Sequence, residues 1–141
     1  MTTESDWVAR LFAANNNLSV NDFRALIFVI LAEADGKYLT AGDLKKQMGL
    51  SGAAISYLIE RLAHDGYLRR QTDSNDRRKT ILRYGDLGMK LTNTFLRGIN
   101  EHNANALQSV SDEDLEAAHR VFAALAEGMH TFRGGLSADK T

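Results

Sequence analysis

Three consecutive cations, Arg77-Arg78-Lys79, close a polar loop that opens Asp73-Ser74-Asn75-Asp76. Guanidinium and ammonium groups on a thin loop tip suit a polyanion, above all a narrow groove where negative potential is concentrated. Asp73 and Asp76 are out of place in an anion-binding loop unless they orient the guanidiniums or stabilise the turn through side-chain to backbone bonds. Taken alone, such a run reads as a solvated loop. A second polar set, Ser51, Gly52, Ala53, Ser56, Tyr57 and Arg61, falls on the outward positions of a segment whose Ile55, Leu58, Ile59 and Leu62 repeat at helical spacing. Small residues at Gly52, Ala53 and Ala54 let a helix approach the floor of a groove closely. Ser56 and Tyr57 can hydrogen-bond or touch a methyl group, and Arg61 suits a phosphate or an outer base. The alternative is that Tyr57 and Arg61 decorate a solvated helix face.

These residues need elements to hold them. Ser or Thr followed three residues later by Asp recurs at Thr3/Asp6, Ser19/Asp22, Thr40/Asp43 and Ser111/Asp114, a capping box with Asp in place of Glu or Gln. Each precedes an apolar-periodic segment, so four helices are expected to start there. The first, about 5–14, puts Trp7, Val8, Leu11 and Phe12 on one face and breaks at Asn15-Asn16-Asn17. The second, about 20–34, is apolar nearly all round and should be central and buried. Tyr38-Leu39 can form a minimal strand before a third helix, 41–48, closed by Gly49. Ser51 can cap a fourth helix that ends before Gly66, and the runs 67–71 and 79–84 alternate like a hairpin around the loop. Two longer helices, 86–109 and 112–132, complete the chain, the latter with Leu115, Ala118, His119, Phe122, Leu125, Ala126 and Met129 in one stripe. These two and the first helix carry more apolar surface than a small lobe can bury, so a homodimer interface is expected. The fold class is mainly α with a small β-hairpin (α+β): a helix-turn-helix followed by a basic wing.

The 141 residues allow one domain, or a small domain plus an oligomerisation element. The net charge of −1 hides an asymmetry. Residues 37–90 hold eleven Lys and Arg against six Asp and Glu, and the rest of the chain holds six against twelve. A cationic middle between acidic flanks fits a phosphate-facing centre. With no cysteine, disulfides, thiolate metal sites and thiol catalysis are excluded. His102, His119 and His130 lack tight ligand spacing, so no metal and no cofactor is expected, and His64 suits a helix C-terminus. No apolar run reaches membrane-spanning length and no leader pattern opens the sequence, so a cytoplasmic protein without a membrane role is expected. No nucleophile elbow, phosphate loop or acid/base pair argues for an enzyme.

The runs Leu44-x3-Met48-Gly49-Leu50-Ser51, Ile55-Ser56-x-Leu58-Ile59-x-Arg61-Leu62-x3-Gly66-Tyr67-Leu68 and Asp73-x2-Asp76-Arg77-Arg78 resemble the winged-helix core of the MarR family of bacterial transcriptional regulators. The order and length of the outer helices agree with it. The resemblance implies a winged helix-turn-helix DNA-binding lobe at 19–85, with a recognition helix at about 52–65 and a wing at about 67–84. It implies a helical dimerisation region from 1–18 and 86–141. It further implies a homodimer on a palindromic duplex operator, with the recognition-helix residues above reading bases and Asp76, Arg77, Arg78 and Lys79 at the minor groove. A small aromatic or anionic effector that releases the DNA would, by the same resemblance, be lined by Trp7, Arg10, Leu11, Phe23 and Tyr38; ordinary core packing also explains the apolar and aromatic ones. Two departures stand out. Tyr57 occupies a position where Arg is common in the family, and Tyr84-Gly85-Asp86-Leu87-Gly88 replaces the usual Leu-Thr-x2-Gly, losing a Thr cap for which Asp86 can substitute. The competing reading is a winged-helix protein-interaction module without specific DNA readout, using the basic face for an acidic partner.

Overall fold

Ser19 and Thr40 both close full capping boxes, each hydroxyl accepting from the amide of the aspartate three residues on and each aspartate accepting from the cap's own amide. Ser111 accepts from the Asp114 amide in the same way, and Ser51 caps its helix through the Ala54 amide. The computed structural model describes residues 2–138 and the side chains of residues 4–136. Its elements are α1 (Thr2–Asn15), α2 (Val20–Ala34), α3 (Ala41–Met48), α4 (Gly52–His64), β1 (Leu68–Thr72), β2 (Thr80–Tyr84), α5 (Asp86–Ala106) and α6 (Asp112–Ala138). The expected Thr3/Asp6 cap involves the Thr3 side chain, which lies outside the described residues; α1 starts earlier than the periodicity places it, at Thr2. Its end falls where the asparagines predict, with Asn17 in the left-handed region at φ 57° and the Leu18 amide returned to the Ala13 carbonyl.

Residues 2–98 belong to one compact unit. Its core joins Leu26, Val29 and Ile30 of α2 to Leu44 and Met48 of α3, Ile55, Leu58, Ile59 and Leu62 of α4, and Leu68 and Leu82 of the hairpin. Each such leucine or isoleucine removed from water contributes about 1.5–3 kcal/mol, so this cluster is what holds the lobe's elements in place. α2 is central, as expected, yet not enclosed, because Leu31 is 55% exposed. Phe12 of α1, Phe23 of α2 and Phe95 of α5 form a three-ring cluster with centroids 4.8–5.3 Å apart, tying α1 and the first part of α5 to the lobe.

β1 and β2 pair antiparallel with Leu68 opposite Tyr84 and Thr72 opposite Thr80. The minimal strand expected at Tyr38-Leu39 is a single bridge, in which the Leu82 amide donates to the Leu39 carbonyl at 2.7 Å. That bond pins the hairpin's second strand to the segment before α3. α5 starts without a side-chain cap: the Gly85 amide donates to the Tyr67 carbonyl and its carbonyl accepts from Met89. A Cβ at Gly85 would stand 2.2 Å from the Gly66 carbonyl oxygen, so threonine cannot occupy this position as the backbone lies. Asp86 contributes charge in the first turn, where it complements the helix dipole.

Residues 99–138 belong to a second unit, made of the end of α5 and α6. The stripe on α6 forms as a helix face, with Leu115, Phe122, Leu125 and Met129 all exposed, together with Val121, Phe132 and Leu136.

Candidate nucleic-acid interface

α3 and α4 form the helix-turn-helix, and the turn between them depends on Gly49 at φ 66°, a conformation that costs a side-chain-bearing residue roughly 1 kcal/mol or more. Ile55, Leu58, Ile59 and Leu62 are buried, so the opposite side of α4 faces out: Ser51, Gly52, Ala53, Ser56 and Tyr57 are all exposed. No neighbour lies within 4 Å of a Cβ built on Gly52, so packing inside the chain does not explain the missing side chain there. Tyr57 is 66% exposed, and the Arg61 guanidinium lies over its ring at 5.0 Å.

The loop between the strands is built by its aspartates. Asp73 accepts from the Asn75 amide and Asp76 from the Arg78 amide, while backbone bonds join Asp73 to Lys79 and Lys79 to Asp76. These are the turn-stabilising bonds that explain two acids in a cationic loop, and Asp76 also stands 3.6 Å from the Arg78 guanidinium, orienting it. Arg77, Arg78 and Lys79 are exposed at the tip, Arg78 to 95% of its side chain.

Residues 16–79 match the sequence model of the MarR family. The winged-helix lobe matches the MarR family. The chain is 32% identical to the uncharacterized HTH-type transcriptional regulator YcgE of Bacillus subtilis over 78 residues, 55% of this chain and 51% of that protein. It therefore matches about half the length of that relative. It is 25% identical to the HTH-type transcriptional repressor YetL of Bacillus subtilis over 122 residues, 86% of this chain and 72% of that protein. Among solved structures, that of S. aureus MepR in complex with DNA superposes with a TM-score of 0.63 at 19% identity, covering 91% of this chain and 90% of that one. The same protein bound to ethidium bromide superposes at 0.68 with the same identity and coverage. At this identity the likeness concerns the fold.

The residues named from the sequence fall into four groups. Ser51, Gly52, Ala53, Ser56 and Tyr57 share the outer face of α4, and Asp76, Arg77, Arg78 and Lys79 share the wing tip. Arg61 is different, since its guanidinium donates to the buried Asp22 carboxylate of α2, which raises the arginine's pKa further above its ordinary value. The five residues named for an effector cleft are placed unlike one another. Phe23 is buried in the three-ring cluster, Trp7, Arg10 and Leu11 are exposed on α1, and the Tyr38 ring lies 4.8 Å under the Arg83 guanidinium.

Sequence reasoning missed Glu33, Gln71 and Arg83. Glu33, its side chain 8% exposed, accepts from Arg83 Nε at 2.5 Å, from Arg83 Nη2, and from the Tyr84 amide at 3.2 Å. Arg83 Nη1 donates to Gln71 Oε1 at 3.2 Å, and the pairing with Glu33 raises its pKa. The signal that was available is an acid within the otherwise apolar α2, since a carboxylate on a buried helix requires a cationic or hydrogen-bonding partner.

Proposed function

We propose that this chain is a homodimeric, sequence-specific DNA-binding regulator of transcription, a repressor that a small-molecule ligand releases. One observation carries the reading: a single lobe exposes both the polar N-terminal face of α4 and a cationic wing tip. A major groove about 12 Å wide accepts one α-helix, and a thin cationic loop fits the narrower minor groove beside it. In this arrangement Ser51, Gly52, Ala53, Ser56 and Tyr57 face the base edges, with Arg61 at the outer end of that face. Asp76 shapes the turn that presents Arg77, Arg78 and Lys79. The complex of MepR with DNA supports the partner, the name of YetL supports repression, and MepR bound to ethidium bromide supports a small aromatic molecule as ligand. Exposed Trp7, Val8 and Leu11 on α1, and the apolar stripe of α6, support a second copy as the dimer partner. On this reading, residues 19–85 contact DNA, and 1–18 with 86–141 dimerise.

The test is a titration against the DNA upstream of the chain's own coding region. A salt-dependent, sequence-preferring complex is expected, and its absence refutes the proposal. The Gly52-Ala53-Ala54 run, poor in hydrogen-bonding groups, favours the second reading of a protein-interaction module; equal affinity for any duplex would support that one instead.

A further inference from the structure

Asp22 and Glu33 are eleven residues apart on α2. At 100° and 1.5 Å per residue this places them within about 20° of one helix face and about 16 Å apart along the axis. Each carboxylate is nearly buried, and each grips an arginine from a different DNA-facing element: Asp22 takes Arg61 of α4, and Glu33 takes Arg83 of β2. Neither arginine is free. The Arg61 guanidinium also covers Tyr57, while Arg83 is held by Glu33, Gln71 and the Tyr38 ring together. The Tyr84 amide adds a backbone bond to Glu33, so the wing's root is fastened to α2 by side chain and main chain alike.

We propose that Asp22 and Glu33 are positioning residues that make α2 a gauge, fixing the separation and mutual orientation of the recognition helix and the wing. Arg61 and Arg83 serve the gauge and do not contact phosphate. This rests on the DNA-binding reading above. Geometry gives it leverage: the wing tip lies about five residues beyond Arg83, roughly 16 Å of strand, so a rotation of about 10° at the root moves the tip about 3 Å. That is close to one base-pair rise along the duplex. Specific binding needs both elements in register, whereas non-specific binding needs only cations near phosphate. The pairing also trims the basic segment. Two of its eleven cations are neutralised by acids outside it, which leaves nine against six.

The test uses the full chain and a duplex that the parent protein selects from a random-sequence pool, with a scrambled duplex as control. Glu33→Gln and Asp22→Asn should weaken binding to the selected duplex about tenfold, the scale of one mismatched base pair, and leave the scrambled duplex within about twofold. Arg83→Lys, which keeps the charge but not the fork of donors, should behave like Glu33→Gln. Arg61→Gln and Arg83→Gln should leave the dependence of log affinity on log salt unchanged; a fall of about 1.8 for either, about 0.9 from each of two subunits, would place that guanidinium on phosphate and overturn the proposal. Variants that melt lower yet bind both duplexes as the parent does, well below their melting temperature, overturn it as well, because the contacts would then be structural alone. A parent that selects no sequence refutes the proposed function itself. A parent that selects one, with clamp variants indistinguishable from it, refutes the gauge alone.

Discussion

Replacing Arg77 and Arg78 by alanine separates affinity for DNA from stability of the fold, because the wing tip holds almost nothing together. The Arg78 side chain is 95% exposed and its guanidinium is 3.6 Å from Asp76 in open solvent. Exposed pairs of this kind contribute about 0–1 kcal/mol, so each alanine variant should melt within about 3 °C of the parent. The effect on DNA is larger and has a defined form. Each cation delivered to the duplex adds about 0.9 to the slope of log affinity against log salt, which over a fourfold rise in salt is a factor of about 3.5. In the proposed dimer each substitution removes two cations, so one variant should lose about 1.8 of slope and the double variant about twice that. Fluorescence anisotropy on a labelled duplex at a series of salt concentrations gives the slope, and a thermal melt gives the control. Parent-like slopes in both single variants would refute the wing's role. A melting temperature lowered by more than about 5 °C would refute the claim that these guanidiniums lie outside the fold's own contacts.

Gly88→Ala should destabilise the lobe by about 3 kcal/mol or more, because the added Cβ would stand 2.3 Å from the Tyr67 carbonyl oxygen and 2.8 Å from Leu26 Cδ1. Gly98→Ala, which meets nothing within 4 Å, should leave stability equal or raise it by up to about 1 kcal/mol; thermal melts of the pair test the packing at the start of α5. Phe122→Glu together with Met129→Glu should shift the protein towards monomer in sedimentation velocity without loss of helix by circular dichroism, since both side chains are exposed on α6 in a single chain. The Asp43 carboxyl is held below its ordinary pKa, first by the Thr40 amide and then by the Thr40 hydroxyl. Its folded value being the lower one, its contribution is present above the unfolded value of about 3.9 and is lost as pH falls through the folded value. Asp43→Asn should therefore cost about 1 kcal/mol at neutral pH in denaturant titrations, and the gap from the parent should close below about pH 4.

The sequence was most legible where a local rule acts alone. Ser19, Thr40, Ser51 and Ser111 announced their helix starts because a hydroxyl can satisfy free amides within one turn, and no distant partner is required. The outer face of α4 followed from the spacing of Ile55, Leu58, Ile59 and Leu62, and the hairpin from alternation around a turn-rich loop. What stayed hidden depended on partners far apart in the chain. Arg61 looked outward by periodicity, yet Asp22, 39 residues away, takes its guanidinium. Arg83 and Glu33 are 50 residues apart, and nothing in either neighbourhood names the other. The same limit applies to the missing threonine before α5. Only the 2.2 Å separation between a Cβ at Gly85 and the Gly66 carbonyl explains why a backbone cap stands where a side-chain cap was expected.

The central claim is that α4 reads sequence while the wing supplies affinity, and competition binding on two duplexes of equal length and composition tests it most directly. One duplex carries the sequence the parent enriches from a random pool, and the other carries that sequence scrambled. At physiological salt the account predicts at least about a thousandfold preference for the selected duplex, the lower end of specific protein–DNA discrimination. Equal affinity for the two, at any salt concentration, would contradict it.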